Sequence, residues 1–116
     1  MNSNAKPLTE PVLLILISLA DTPRHGYGLL QDIEDLSSGR VRLSTGTLYG
    51  ALRRLLADRW IERVDSGDTS RDKQTYRLTE TGRRQLRTET ERLEELTQLA
   101  RTRRRTGRRK WNEASI

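Results

Sequence analysis

Residues 41–61 constrain the fold more than any other stretch of this sequence. They read VRLSTGTLYGALRRLLADRWI, a short β-prone lead followed by Ser44, a good N-cap, and a predicted helix. One face of this helix is apolar and is formed by Leu48, Ala51, Leu52, Leu55 and Leu56. The other face carries hydroxyl and guanidinium groups. A helix divided in this way packs by one face and leaves a basic, hydrogen-bonding face open.

Length and composition restrict what surrounds that helix. The chain has 116 residues, 33% of them hydrophobic, with a mean hydropathy of −0.81. Such a chain forms at most one small core, and a domain of this kind often gains stability by dimerising. It has no Cys, which excludes disulfides, thiolate metal sites and Cys nucleophiles, and its single His disfavours any other metal site. Because the sequence has no nucleophile–base pair and no carboxylate cluster, we expect neither an enzyme nor a cofactor.

The longest apolar run, Val12–Ile17, is far shorter than the ~20 residues that span a bilayer. The polar N-terminus has no signal-peptide pattern. We therefore expect a cytoplasmic protein with no membrane partner.

The positive charge is unevenly distributed. The formal net charge is +6, but seven basic residues fall within 101–110, and residues 1–100 carry 15 basic and 15 acidic side chains. Within this neutral part, residues 36–64 hold six arginines against Asp58 and Glu62. Local basic charge beside the central helix indicates a surface that faces nucleic acid.

Two further helices and a short strand are predicted before the central helix. Thr9-Glu10-Pro11 is a helix start, and Pro23 follows its end. The second helix runs from about His25 to Ser37, and residues 40–43 alternate as a brief strand. The face of the second helix that we expect to be buried consists of Tyr27, Leu30, Ile33 and Leu36.

A hairpin is predicted after the central helix. Residues 60–64 and 74–79 are β-prone, and Tyr76 and Leu78 share the inward parity of the second strand. The polar loop between them, residues 65–73, contains Arg71 and Lys73, which are either DNA contacts or an ordinary solvated tip. Three helices followed by a hairpin predict a winged helix-turn-helix, mainly α with a small β-hairpin.

The last predicted helix is long and mostly polar. Thr79 caps it, and it covers residues 80–105. Its apolar seam is too narrow to cover a monomer core, so we expect it to pair with a second copy of the chain. The predicted dimer-interface residues are Leu86, Thr90, Leu93, Leu96 and Ala100.

The predicted organisation is a flexible N-terminus (1–7), a winged-helix DNA-binding domain (8–79), a C-terminal dimerisation helix (80–105) and a basic flexible tail (106–116). This tail is either a solvated helix end or an electrostatic arm for DNA.

The motif Ser44-Thr45-Gly46-Thr47-Leu48-Tyr49-x-Ala51-Leu52-x-Arg54-Leu55, followed by Tyr76-x-Leu78-Thr79-x-x-Gly82, resembles the PadR-like transcriptional regulators. His25-Gly26-Tyr27-Gly28 resembles the opening of that family's second helix. The resemblance implies a homodimer that binds palindromic operator DNA, usually as a repressor, through its third helix and wing. It also implies a possible small-molecule inducer. The sequence departs from the family at Gly50, where Pro is common, and at Arg59, where Gly is usual. No Trp lies in the seam, so the drug-sandwiching site of some relatives does not carry over.

The expected DNA contacts are hydroxyl, phenol and cationic groups on or near the central helix and wing. They are Arg42, Ser44, Thr45, Thr47, Tyr49, Arg53, Arg54, Arg71 and Lys73. Hydroxyls suit phosphate, and Arg suits phosphate or guanine. The alternative for Arg53 and Arg54 is an ordinary solvated role, and Tyr49 is also a candidate core residue. The alternative function is a winged-helix interaction or architectural module that binds nucleic acid non-specifically.

Overall fold

The computed structural model describes residues 6–64 and 74–114. The elements are α1 (Glu10–Leu19), β1 (Arg24–His25), α2 (Gly26–Leu36), α3 (Thr45–Ala57), β2 (Ile61–Val64), β3 (Thr75–Leu78) and α4 (Glu80–Ala114). The strands form one antiparallel sheet in the order β1-β3-β2. The predicted mainly α fold with a small hairpin is therefore confirmed. The chain divides into two compact units between Leu86 and Arg87.

The core of the first unit contains side chains from all three of its complete helices and from the hairpin. Helix α1 begins as predicted, because the Thr9 hydroxyl accepts a hydrogen bond from the Val12 amide at 3.4 Å. The buried apolar residues are Ile15, Leu16, Leu19, Leu29, Ile33, Leu48, Tyr49, Leu52, Leu55, Ile61, Tyr76 and Leu78. The leucine stripe of α3 thus packs inward as its spacing predicted.

The inner face of α2 differs from the prediction. Gly26, Leu29 and Ile33 are buried, whereas Tyr27 is 74% exposed. Leu36, also expected inside, is 49% exposed. The reason lies in Gly26, which has no Cβ and so admits the Tyr49 side chain of α3. A Cβ on residue 26 would lie 2.5 Å from the Tyr49 hydroxyl, and this close approach turns the Gly26 side of α2 inward.

The predicted strand at residues 40–43 is wrong, since these residues have no strand geometry. The Val41 amide, which a strand would need for its ladder, donates to the Ser37 hydroxyl at 3.0 Å. The third strand is instead β1, where Arg24 pairs with Tyr76 and His25 with Thr75. A strand of two residues is too short to show alternation, so no local pattern predicts it.

The hairpin strands follow the predicted parity. Strand β2 pairs with β3 in the register Ile61 with Leu78 and Val64 with Thr75. Tyr76 and Leu78 are both buried. The alternate residue Arg77 is exposed and donates to Glu62 at 2.8 Å.

Helix α3 ends in a Schellman arrangement. The Trp60 amide donates to the Leu55 carbonyl at 3.0 Å, and the Arg59 amide donates to the Leu56 carbonyl at 3.1 Å. Arg59 has a φ of 61°, the left-handed conformation that Gly usually adopts at this position. The departure at Arg59 is thus accommodated at a steric cost to the backbone.

Thr79 joins the hairpin to α4. Its amide donates to the Trp60 carbonyl at 3.0 Å, and its hydroxyl donates to the Arg59 carbonyl at 2.5 Å. The same hydroxyl accepts from the Gly82 amide at 3.0 Å, as an N-cap does. The predicted capping role of Thr79 is confirmed.

The sequence predicts that helix α4 ends near residue 105, but the helix continues to Ala114. Gly107 does not end the helix, because a single Gly costs a helix only about 1 kcal/mol. The flanking arginines favour a helix, and the Thr106 hydroxyl bonds the Thr102 carbonyl at 3.0 Å within it. The basic segment is therefore helical where the structure describes it.

Candidate nucleic-acid interface

The exposed face of α3 begins at its cap. The Ser44 hydroxyl accepts from the Thr47 amide at 3.1 Å and donates to the Thr47 hydroxyl at 2.9 Å. Ser44 therefore has a defined capping role, and both side chains remain exposed. This pairing fixes the orientation of two hydroxyls at the start of the helix.

The first turn of α3 is open to solvent. Thr45 and Gly46 are exposed, and a Cβ added to Gly46 would meet nothing within 4 Å. The N-terminus of a helix carries a partial positive charge, which favours an anion such as phosphate. The sequence-predicted Thr45 and Thr47 thus lie beside a surface with the right polarity for a DNA backbone.

The predicted arginines differ in their partners. Arg42 forms an ion pair with Glu34, at 3.2 Å, so its charge is partly neutralised. Arg53 and Arg54 are exposed, and neither pairs with an acidic side chain in the part of the chain that the structure describes. Unpaired exposed guanidinium groups can bind phosphate or guanine without first breaking an ion pair. Arg53 and Arg54 are therefore better placed for DNA than Arg42.

Tyr49 differs from the other predicted contacts because it is largely buried. The residue is 8% exposed, its hydroxyl lies against Gly26, and it also lines the cleft that contains Arg53. Burial places Tyr49 in the core, which was the alternative interpretation of its sequence position. Its role at the interface is therefore to support α3 from below, while a direct DNA contact by Tyr49 stays a prediction.

A cleft of about 430 Å³ lies between α3 and the sheet. Arg53 and Arg63 line it together with Gln74. The last two were not among the predicted contacts. Arg63 is exposed on β2, a strand whose sequence alternates weakly. The only sequence feature that could have identified it as a DNA contact is its positive charge within the basic segment 36–64. The cleft adds a second cation and an amide beside Arg53.

The two predicted wing-loop contacts, Arg71 and Lys73, lie outside the described residues. The strands that carry the loop are described up to Val64 and from Gln74 onward.

The predicted dimer seam is distributed over both units. Leu86 packs against the core of the first unit and is half-buried there, so only part of its side chain remains open to a second copy. Leu93, Leu96 and Leu99 are 37%, 48% and 57% exposed in the single chain. Thr90 and Ala100 are exposed as well. Exposed leucines in successive turns form an apolar surface on an otherwise polar helix.

A sequence model of the transcriptional regulator PadR-like family matches residues 15–88. This match includes α2, α3 and all three strands. The chain belongs to the PadR-like family of transcriptional regulators. The family resemblance predicted from the α3 motif is confirmed.

Among curated proteins, this PadR-like chain is similar to an uncharacterized 37.1 kDa protein in transposon TN4556 of Streptomyces fradiae. The two are 39% identical over 77 residues, which cover 66% of this chain and 21% of that protein. The chain thus spans about a fifth of the length of this relative.

Solved structures share the fold. A PadR family transcription regulator of Clostridium difficile has a TM-score of 0.66 at 20% identity, covering 81% of this chain and 97% of that chain. Bacillus subtilis PadR in complex with operator DNA has a TM-score of 0.60 at 20% identity, covering 71% and 47%. Bordetella bronchiseptica BpsR, whose DNA binding is regulated by 6-hydroxynicotinic acid, has a TM-score of 0.61 at 22% identity, covering 78% and 63%. The predicted winged helix-turn-helix is confirmed by this likeness.

None of the helices among the described residues is both long enough and apolar enough to cross a bilayer.

Proposed function

We propose that this PadR-like regulator is a sequence-specific repressor that binds a palindromic operator as a homodimer. Helix α3 lies in the major groove, and the hairpin wing rests on the DNA backbone. The observation that carries the proposal is the division of α3 into a buried leucine face and an exposed face with Thr45, Arg53 and Arg54. A helix held rigidly by its inner face presents its outer groups in a fixed geometry, as base reading requires.

DNA binding is tested by the salt dependence of affinity for the promoter fragment upstream of the protein's own gene. Arg53→Ala lowers affinity by about 1–3 kcal/mol if Arg53 reads a base, and mainly reduces the salt slope if it binds phosphate. The matched control is Arg84→Ala, an exposed arginine in α4. Equal losses for both variants, or no change with Arg53→Ala, would contradict the proposed role of Arg53.

Selectivity separates a repressor from the alternative, a winged-helix module that binds nucleic acid non-specifically. A repressor prefers its operator over random duplex by about 10³-fold or more. Competition with scrambled DNA of equal length measures this ratio. A ratio near one would reject the repressor and support the non-specific module.

A homodimer is proposed because the apolar seam of α4 is exposed in the single chain. Burying Leu93, Leu96 and Leu99 against a second copy removes their apolar surface from water. Each Å² removed stabilises the dimer by about 25 cal/mol. Light scattering on the intact chain should give twice the 13.4 kDa monomer mass. Leu96→Glu should shift the mass toward the monomer, whereas Gln98→Glu, off the seam, should not. A monomeric wild type at micromolar concentration would reject the dimer.

The last part of the proposed function is that a small-molecule effector releases the protein from DNA. A cleft of about 330 Å³ in the first unit is lined by Trp60, Val12 and Leu55 beside Arg54 and Asp58. Its size suits a small aromatic molecule, and Arg54 suits a carboxylate on it. Because Leu55 and Arg54 belong to α3, a ligand in this cleft contacts the DNA-reading helix directly.

The effector is tested with benzoate and 6-hydroxynicotinate as probes. Binding in this cleft should quench Trp60 emission in a Trp111→Phe background and weaken operator binding. Unchanged Trp60 emission at millimolar probe would reject a small aromatic acid as the ligand of this cleft.

A further inference from the structure

Four arginines of α4 share one side of the helix. They are Arg101, Arg105, Arg108 and Arg109, here called the arginine stripe. At 3.6 residues per turn their positions fall within an arc of about 100°. All four are exposed, and the sequence has no acidic residue between Glu95 and Glu113. Because α4 continues to Ala114, the stripe is a fixed array about 12 Å long and not a set of independent charges.

The stripe lies away from the apolar seam. Leu93, Leu96, Leu99 and Ala100 are centred on a direction about 150° around the helix from the stripe. A second copy that covers the seam therefore leaves the arginine stripe open. Arg103 and Lys110 lie on the seam side, which makes them a natural comparison for the stripe.

The chemistry of the stripe selects its partner. Each guanidinium is a planar fork that matches the geometry of a phosphate, and all four cations of the stripe are Arg. A membrane surface fits poorly, since an interfacial helix needs an apolar face and residues 101–110 contain no large apolar side chain. The Arg105 side chain lies along the helix, donating to the Arg101 carbonyl at 3.4 Å through Nε.

We propose that the arginine stripe binds the phosphate backbone of duplex DNA without reading its sequence, as a second contact outside the winged helix. The proposal goes beyond operator reading by α3 and does not depend on it. Each phosphate contact made by the stripe adds about 0.9 to the slope of log affinity against log salt.

The test compares two double variants of the full chain that remove the same charge from the same turns of α4. One is Arg105→Gln with Arg108→Gln on the stripe, and the other is Arg103→Gln with Lys110→Gln on the seam side. Affinity for a scrambled duplex is measured over a salt series, and circular dichroism checks that both variants keep wild-type helix content. The stripe variant should lower the salt slope by about 1.8, and the seam-side variant by less than half of that.

An unchanged slope in the stripe variant overturns the proposal. Equal reductions in both variants also overturn it, because the charge would then act diffusely. Vesicles with anionic phospholipid provide a further arm. If the stripe variant loses vesicle binding but keeps its DNA slope, the partner is a membrane and the proposal fails. The two proposals can fail separately. If the protein shows no preference for its operator but the stripe variant lowers the salt slope, the repressor proposal is rejected and DNA binding by the stripe is supported.

Discussion

Gly82 packs directly against the carbonyl of Trp60. A Cβ on residue 82 would lie 2.0 Å from the Trp60 oxygen, which also accepts the Thr79 amide at 3.0 Å. The contact therefore joins the end of α3, the hairpin and the first turn of α4 at one backbone position. Only Gly fits there, because the obstacle is backbone and cannot rotate away.

Gly82→Ala should destabilise the protein by about 1–3 kcal/mol, since the extra methyl group must displace backbone. Thermal unfolding followed by circular dichroism measures the change. Gly107→Ala is the control in the same helix, where nothing lies within 4 Å of an added Cβ. It should raise stability by up to about 1 kcal/mol through helix propensity. A Gly82→Ala protein as stable as wild type would contradict the packing described.

Arg59 offers the opposite case, a site where Gly should help. Its φ of 61° costs a non-Gly residue about 1–2 kcal/mol. Gly avoids this cost but loses more conformational entropy on folding, which offsets part of the gain. Arg59→Gly should therefore stabilise the protein by about 0.5–1 kcal/mol in urea unfolding. Asp58→Gly, at a φ of −80°, should instead destabilise it by a similar amount. The same sign for both variants would exclude backbone strain at Arg59.

A polar network fastens α1 to α2. The Ser18 hydroxyl, 1% exposed, donates to Asp32 at 2.6 Å, and the Arg24 Nε donates to the Ser18 carbonyl at 2.8 Å. Ser18→Ala should cost about 1–3 kcal/mol, because it removes a donor from a partly buried carboxylate. Asp21→Ala, which removes only the exposed pair with Arg24, should cost at most about 0.5 kcal/mol. Chemical denaturation of both variants measures the difference, and equal costs would show that the network is not the cause.

The pair Glu10–Arg40 gives stability a dependence on pH. A hydrogen bond from Arg40 is the main reason that the pKa of Glu10 lies below its ordinary value of 4.5. A carboxyl with a depressed folded pKa stabilises the fold fully above its unfolded pKa, and this contribution disappears as pH falls through the folded pKa. The stability difference between wild type and Glu10→Gln should thus be present at neutral pH and vanish in acid. Arg40→Gln should behave alike, and a difference of the same size in acid as at neutral pH would contradict this linkage.

Local signals predicted much of the fold. The caps at Thr9, Ser44 and Thr79 make the hydrogen bonds that their positions indicated, and the leucine stripe of α3 is buried. Alternation correctly placed Tyr76 and Leu78 inside. These features depend on interactions between neighbours in sequence, or on a period that one element carries alone.

Two of the errors arose where a contact between elements determines the local structure. The inner face of α2 depends on the space that Gly26 leaves for Tyr49, which no periodicity within α2 reveals. Strand β1 exists only because β3 pairs with it. At the candidate interface, the ion pair that partly neutralises Arg42 and the cleft that places Arg63 beside Arg53 also depend on tertiary structure.

Leu52 and Arg53 are adjacent in α3 but should fail in different ways. Leu52 is 1% exposed, so Leu52→Ala removes core packing and should cost about 2–5 kcal/mol of stability. Arg53 is exposed and pairs with no acid among the described residues, so Arg53→Ala should change stability by less than about 0.5 kcal/mol. Measuring unfolding and promoter binding on both variants separates the roles. Affinity per folded molecule should be near wild type for Leu52→Ala and reduced for Arg53→Ala. If Arg53→Ala weakens binding only as far as it unfolds the protein, the outer face of α3 does not contact DNA at this residue.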